Sequence, residues 1–159
     1  MMPENKDIFV SQLNDVVIDN HSRAWCKLAY PGHPNGCPNF GKRAGCPPHS
    51  LLFEQLVRPP FTLVAVKFNL EEHAKRMKEK HPAWSDRQAR CVLYWQAGVD
   101  KRLREACEKT ASEIPNSVII YKPEAAGVHV FETCRKIGLV LERNPHKILW
   151  KVAIIGIKK

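Results

Sequence analysis

The chain has 159 residues, of which 44% are hydrophobic and 26% are charged. This composition excludes a wholly disordered chain, and the length predicts a single domain over residues 1–159. The 25 Lys and Arg exceed the 16 Asp and Glu, so the formal net charge is +9. A basic balance suits a nucleic acid or a small anionic ligand as partner, and it equally suits a solvated basic surface.

Apolar stretches in the chain are short. No stretch approaches the ~20 apolar residues that a membrane helix needs. The longest, residues 148–157, is interrupted by Lys151 and Gly156. The first residues lack the basic and apolar regions of a secretory signal. We therefore expect no membrane association and a cytoplasmic location.

The first part of the chain divides into two contrasting segments. The apolar residues spaced along 4–19 favour a short helix. Residues 26–49 hold five of the twelve prolines and four of the eight glycines, which excludes a regular helix or a central strand. So long a segment without secondary structure is uncommon inside a compact domain. Something other than backbone hydrogen bonds therefore has to organise it.

The next part alternates between helix and strand patterns. Residues 50–56 suit a short helix, and the β-branched and aromatic residues of 61–69 predict a strand. Asn69 then begins a helix, with Glu72 at the capping-box position, and Pro82 ends this helix.

Ser85 and Gln88 form a second capping box, and apolar residues at helical spacing predict one long helix over 85–113. A strand at 117–122, a helix at 124–137 that Gly138 ends, a short strand at 139–142 and a strand at 148–157 follow. This order predicts an α/β fold: a mixed sheet of about four strands with packed helices and an N-terminal Cys/Pro/Gly-rich loop at 26–49. The last two strands can also pair as a hairpin.

Cys26, Cys37 and Cys46 give the strongest chemical signal in the sequence. Thiolates are soft ligands for zinc, copper(I) and iron–sulfur clusters. A bound metal would also supply the ordering free energy that the loop lacks. The alternative is three free cysteines in a surface loop, but this polar, proline-rich segment offers little apolar interior for three thiols.

The spacing of these cysteines bears on the metal. The closely spaced Cys-x2-Cys pair that is typical of structural zinc sites does not occur. Single, widely spaced cysteines favour an iron–sulfur cluster, although no ferredoxin spacing fits, and zinc stays the alternative. If three cysteines hold a 4Fe–4S cluster, one iron keeps an open position for Lewis-acid or redox chemistry. The usual nucleotide-binding and hydrolase motifs are absent, so the sequence assigns no enzymatic reaction.

Cys134 is the first candidate for a fourth ligand. Arg135 and Lys136 beside it would offset the negative charge of a thiolate site. The alternative is that Cys134 completes the apolar stripe of its predicted helix. His33 or His49 could also be the fourth ligand. A further alternative is that the fourth position stays open.

Two further groups of residues are weaker candidates. Cys91 and Cys107 would lie roughly 24 Å apart in one continuous helix, so they cannot share an ion, and we expect both to be ordinary helix residues. Glu124 and Glu132 lie near Cys134 in sequence and are acid/base candidates without an assigned partner.

The competing function is a zinc-stabilised nucleic-acid-binding module. Two basic clusters could contact phosphates, and tryptophans could stack on bases. The first basic cluster is Lys75, Arg76, Lys78 and Lys80, and the second is Lys101, Arg102 and Arg104. The tryptophans are Trp84, Trp95 and Trp150. Trp95 and Trp150 occupy apolar patterns that also predict core positions.

The run CPNFGK at 37–42 and the run CPP at 46–48, with Cys26 upstream, resemble a family of uncharacterised prokaryotic proteins described as predicted metal-binding proteins. The stretches PEAAGVHVF at 123–131 and RKIG at 135–138 are also similar. The resemblance implies metal binding by Cys26, Cys37 and Cys46. Members often carry a Cys-x-x-Cys segment before the second stretch, which this chain lacks, and the family has no settled activity.

Overall fold

A computed structural model describes residues 7–19 and 52–159, and these form a four-stranded sheet with helices on both faces. The sheet order is β1-β2-β4-β3. The strands are β1 (Ile8–Leu13), β2 (Val57–Asn69), β3 (Ser117–Ile120) and β4 (Ile148–Lys158). The predicted strands at 61–69, 117–122 and 148–157 are thereby confirmed, with small changes at their ends. The predicted loop at 26–49 lies outside the described residues.

The helices are α1 (Phe53–Leu56), α2 (Leu70–Lys80), α3 (Asp86–Ala89), α4 (Gln96–Ala111) and α5 (Val130–Arg135). Asn69 caps α2 by accepting a hydrogen bond from the Glu72 amide at 3.0 Å, as predicted. Ser85 and Gln88 form the predicted reciprocal capping box of α3. None of the helices in residues 52–159 has the length and apolarity required to cross a membrane.

The directions of the strands differ from the prediction. The expected mixed sheet is wrong, because all three strand pairings are antiparallel. The helix expected over 4–19 is not formed by the described residues 7–19: Ile8–Leu13 is an edge strand that pairs with β2. Hydrogen bonds to an open sheet edge outweigh the weak local preference of so short a segment for helix. The expected strand at 139–142 is also absent, so the alternative hairpin does not form.

Two predicted helices are interrupted. The segment 85–113 divides into α3, a 3-10 turn at Val92–Tyr94, and α4. At this break the Trp95 indole donates a hydrogen bond to the Arg90 carbonyl at 3.1 Å. The segment 124–137 divides in the same way into a 3-10 turn at Pro123–Ala126 and α5, separated at Gly127.

Two glycines with left-handed backbone torsions bound α5 and the turn before it. Gly127 has φ of +96° and Gly138 has φ of +84°. Side chains other than hydrogen disfavour this region, so each glycine stops a helical segment. Gly138 therefore acts as the predicted stop, whereas the stop at Gly127 was missed.

The sheet has an apolar layer on each face. Alternate β2 residues point to opposite sides, so Leu63 and Ala65 join one layer and Val64 and Val66 the other. The first layer includes α1 and α5. The second is covered by α4, which contributes Val99, Leu103, Ala106 and Cys107.

The described residues on either side of the segment 20–51 lie on the α5 side of the fold. Just before it, the Asp19 amide donates to the Gly127 carbonyl at 2.7 Å, and the His129 amide donates to the Val17 carbonyl at 2.7 Å. Just after it, Phe53 is buried in the same apolar layer as Cys134. The residues that flank the cysteine-rich segment in the chain thus lie on the face of the sheet that carries α5.

Candidate functional site

The three loop cysteines Cys26, Cys37 and Cys46 lie outside the described residues, as do His33 and His49. Within 7–19 and 52–159, no group of three or more His, Cys, Asp or Glu side chains could hold a metal ion. The predicted loop site therefore stays a prediction.

Cys134 is fully buried in the apolar layer that includes α1 and α5. Burial raises the pKa of its thiol to about 12, so the thiol is neutral near neutral pH. A buried, apolar environment is what we expect if Cys134 completes the apolar stripe of its helix. Ligation would require a metal to displace the thiol proton, and that role stays a prediction.

The cations beside Cys134 have carboxylate partners. Arg135 forms an ion pair with Glu132 at 2.7 Å, and Lys136 approaches Asp15 at 3.9 Å. Glu132 thus serves as an ion-pair partner within α5. Asp15 belongs to the segment that precedes residue 20, so Lys136 links α5 to that segment.

The other two described cysteines differ in exposure. Cys91 is partly exposed and lies between α3 and the 3-10 turn. Cys107 is buried under α4, and burial, followed by the charge of Glu108, raises the pKa of its thiol to about 12. The prediction that Cys91 and Cys107 lie in one continuous helix is wrong, because the helix is interrupted between α3 and α4. Their expected exclusion from the metal site stays a prediction.

The break between α3 and α4 opens a cleft of about 470 Å³, here called the Trp84 cleft. Its rings are arranged in series. The centroids of His81 and Trp84 lie 4.1 Å apart at an angle of 13°, and those of Trp84 and Tyr94 lie 5.0 Å apart. The lining residues are Trp84, Ser85, Arg87, Gln88, Cys91 and Tyr94.

A second cleft of about 270 Å³, here called the His73 cleft, adjoins the first through Tyr94. Phe68 stacks on Trp95 with a centroid distance of 5.2 Å and contacts His73 at 5.5 Å. Its lining residues are Phe68, His73, Tyr94, Trp95, Gly98, Val99 and Arg102.

The surroundings of His73 in this cleft lower the pKa of its imidazole. Burial, then the charges of Arg76 and Lys80, lower the pKa of the imidazole. Its Nε2 atom is buried and has no hydrogen-bond partner among the described residues. Among the described residues, no acidic side chain lines either cleft. The clefts therefore combine aromatic surface with the basic side chains of Arg87 and Arg102.

The tryptophans singled out in the sequence have different positions. Trp95 is 5% exposed, so its predicted core position is confirmed, whereas Trp150 is partly buried and packs against the first apolar layer. Trp84 is partly exposed in its cleft. The sequence analysis missed Tyr94. The available signal was that Tyr94 and its neighbour Leu93 lie off the apolar helical stripe that includes Trp95. In the structure Tyr94 is 52% exposed and Leu93 is 74% exposed.

Glu124 lines neither of these clefts. Burial raises the pKa of its carboxyl, while the charges of Lys151 and Lys122 oppose the rise. A raised carboxyl pKa suits a general acid, but the two described clefts offer Glu124 no place against a ligand.

No protein-family model, no curated protein and no solved structure matches the chain. The resemblance carried by residues 37–48 and 123–138 therefore stays a prediction.

Proposed function

We propose that this protein binds metal through Cys26, Cys37 and Cys46 and that the metal is an iron–sulfur cluster. The observation that supports this most strongly is three thiols within a segment rich in proline and glycine. Such a segment cannot form regular secondary structure, and a metal would provide its order. A reducing cytoplasm, the compartment we propose, keeps thiols available for metal.

The contacts of the flanking residues support Cys134 as the fourth ligand. The Val17 amide donates a hydrogen bond to the Thr133 hydroxyl at 3.1 Å, next to Cys134 in sequence. Ile18 forms a β-bridge with Val128. The chain thus lies beside α5 at Val17 and Ile18, a few residues before the cysteine-rich segment, which supports a loop thiol within reach of Cys134.

A bound cluster would supply one-electron redox chemistry or, with an open iron, Lewis-acid chemistry. The chain's own contribution would be to hold the cluster. Lys27, Lys42 and Arg43 lie between the loop cysteines in sequence and would offset the charge of the thiolates. We propose no substrate.

Metal analysis of protein purified without oxygen tests this proposal. We expect iron and acid-labile sulfide in the wild type, with broad visible absorption, and loss of both in a Cys26→Ser, Cys37→Ser, Cys46→Ser variant. Cys134→Ser should lower the iron content or make the cluster labile to oxygen.

The matched control is the Cys91→Ser, Cys107→Ser variant, which should keep the wild-type metal content. Equal metal in the wild type and the triple variant would refute the proposal. Stoichiometric zinc in a colourless protein would replace the cluster by the alternative, a zinc-stabilised module.

A further inference from the structure

We propose that the Trp84 cleft and the His73 cleft together form a binding site for single-stranded nucleic acid. Bases would stack on the exposed rings, and neighbouring cations would contact the phosphates. None of the described residues that line this site is a proposed metal ligand.

The rings provide stacking surfaces that are already ordered. Trp84 is held by His81 and Tyr94, and the partly exposed Phe68 is held by the buried Trp95, before any ligand arrives. His81 is exposed and Tyr94 is 52% exposed, so rings at both ends of the first series are open to solvent. Base–aromatic stacking tolerates any base, because each base presents a flat π-face.

The charges favour an anionic ligand. Arg87 lines the Trp84 cleft and forms no ion pair with any residue in the described part of the chain. Arg102 lines the His73 cleft with a side chain that is 38% exposed, although it also approaches Asp7 at 3.7 Å. Asp86, next to the first cleft, is neutralised by Lys78 and Arg90 at 2.8 and 2.9 Å. The chain as a whole carries a charge of +9.

The shape of the clefts favours a strand over a small molecule. Small-molecule sites are concave and bury most of the ligand surface. The Trp84 and His73 clefts are open to solvent and adjoin at Tyr94, so a single base would stay largely exposed. A strand can occupy both clefts at once and add the contributions of several weak contacts.

Polar groups in the clefts can contact base edges. The Gln88 side-chain oxygen already accepts a hydrogen bond from the Ser85 amide at 2.8 Å, which orients the amide and leaves its NH2 group as a donor. In the second cleft, the Nε2 atom of His73 is buried and offers no comparable contact.

Fluorescence anisotropy with the full chain tests the proposal. The probe is a fluorescein-labelled oligouridylate of about 12 nucleotides, within the site sizes of single-strand-binding grooves. We expect binding at low salt that weakens as salt rises, because phosphate contacts release counterions. The same sequence in a duplex should bind less tightly, and free UMP should compete poorly.

Four ring and charge variants test the assignment of residues. Trp84→Ala and Tyr94→Ala should each weaken binding about 5- to 150-fold, whereas Tyr94→Phe should bind as the wild type does. Arg87→Gln should reduce the slope of log affinity against log salt by about 0.7. Arg58→Gln is the matched control, because the β4 partners of Arg58 and Phe68, Ile157 and Leu149, lie eight residues apart, roughly 27 Å along the strand.

Substitutions at Gly98 test the His73 cleft without removing any packed atom. A side-chain Cβ at Gly98 would meet no heavy atom within 4 Å, and the position is inside α4, where glycine is unfavourable. Affinity should therefore fall in the order Gly98→Lys, Gly98→Gln, Gly98→Glu, about threefold for each unit of charge.

Several results would overturn the proposal. These are no binding at low salt, unchanged affinity in the Trp84→Ala and Tyr94→Ala variants while both remain folded by circular dichroism, or a preference for the duplex. Equal affinity for UMP and for the oligonucleotide would also overturn it. Identical affinities for Gly98→Lys and Gly98→Glu would remove the His73 cleft from the site.

Discussion

The reactivity of individual cysteine side chains in this protein depends on how deeply they are buried. Cys107 and Cys134 are both fully buried, and burial raises both thiol pKa values to about 12. Cys91 is partly exposed at the edge of the Trp84 cleft. A thiolate is the reactive form of cysteine, so these three positions should differ greatly in reactivity.

Thiol labelling measures this difference. In a variant with serine at positions 26, 37 and 46, we expect one thiol to react rapidly with Ellman's reagent in the native protein. That thiol is Cys91, and Cys91→Ser should abolish the fast phase. Cys107 and Cys134 should react only when the protein is unfolded in urea. Rapid reaction of all three thiols in the folded variant would contradict this prediction.

Two glycines should respond to alanine in opposite directions. A Cβ at Gly156 would lie 2.6 Å from the Val57 Cβ, a rigid contact in the sheet. Gly156→Ala should therefore lower the free energy of unfolding by about 1–3 kcal/mol. Gly98→Ala, in an open helical position, should raise it by up to about 1 kcal/mol. Urea denaturation of both variants measures the two signs, and a stabilised Gly156→Ala variant would show that the strands can separate at no cost.

Among the elements, α2 and α3 are joined by a small charge network. Asp86 at the start of α3 bonds Lys78 of α2 at 2.8 Å and Arg90 at 2.9 Å. The hydrogen bond from Lys78, together with Arg90, lowers the pKa of the Asp86 carboxyl below its usual value, against the effect of burial. Arg90 also donates to the His146 carbonyl, so the network extends to the segment before β4.

This network should make stability depend on pH in the acid range. A carboxyl pKa that is lower in the folded state adds stability above the unfolded value, and that stability is lost as pH falls through the folded pKa. Asp86→Asn should cost about 1 kcal/mol or less at neutral pH, because these charges are partly exposed. Urea denaturation should show the difference from wild type shrinking below about pH 4.

Glu72→Gln is the control for this prediction. The Glu72–Arg76 pair spans 3.6 Å between side chains that are more than half exposed, so its loss should change stability by less than about 0.5 kcal/mol. A difference between wild type and Asp86→Asn that stays constant from pH 7 to pH 3 would contradict the assigned pKa shift.

Across the molecule, the residues that support the two proposed sites belong to different apolar layers of the fold. The described residues that flank 20–51 contact the α5 side, where Cys134 is buried. The two aromatic clefts involve α2, α3 and α4, and Trp95 and Val99 at their floor belong to the second apolar layer. The sheet separates these layers, so metal loss and cleft substitutions should be independent at first order.

Local signals predicted a large part of the fold from the sequence. The strands around 61–69 and 148–157 are continuous apolar runs buried on both faces, and such runs can be recognised without knowing their partners. The helix starts at Asn69 and Ser85 were predicted correctly, because a capping side chain bonds an amide only three residues away. The cysteine-rich segment stood out by composition alone.

Only the tertiary structure decided the features that depend on distant partners. Residues 8–13 became a strand because the edge of β2 offers hydrogen bonds, and strand direction followed from the same pairings. The helix break that exposes Tyr94 and buries Trp95 depends on an indole reaching the Arg90 carbonyl against the sheet. Periodicity records the local preference of a segment, whereas pairing and burial free energies arise between segments far apart in the chain. For that reason the candidate metal ligands could be named from the sequence, while the aromatic clefts emerged only from the folded chain.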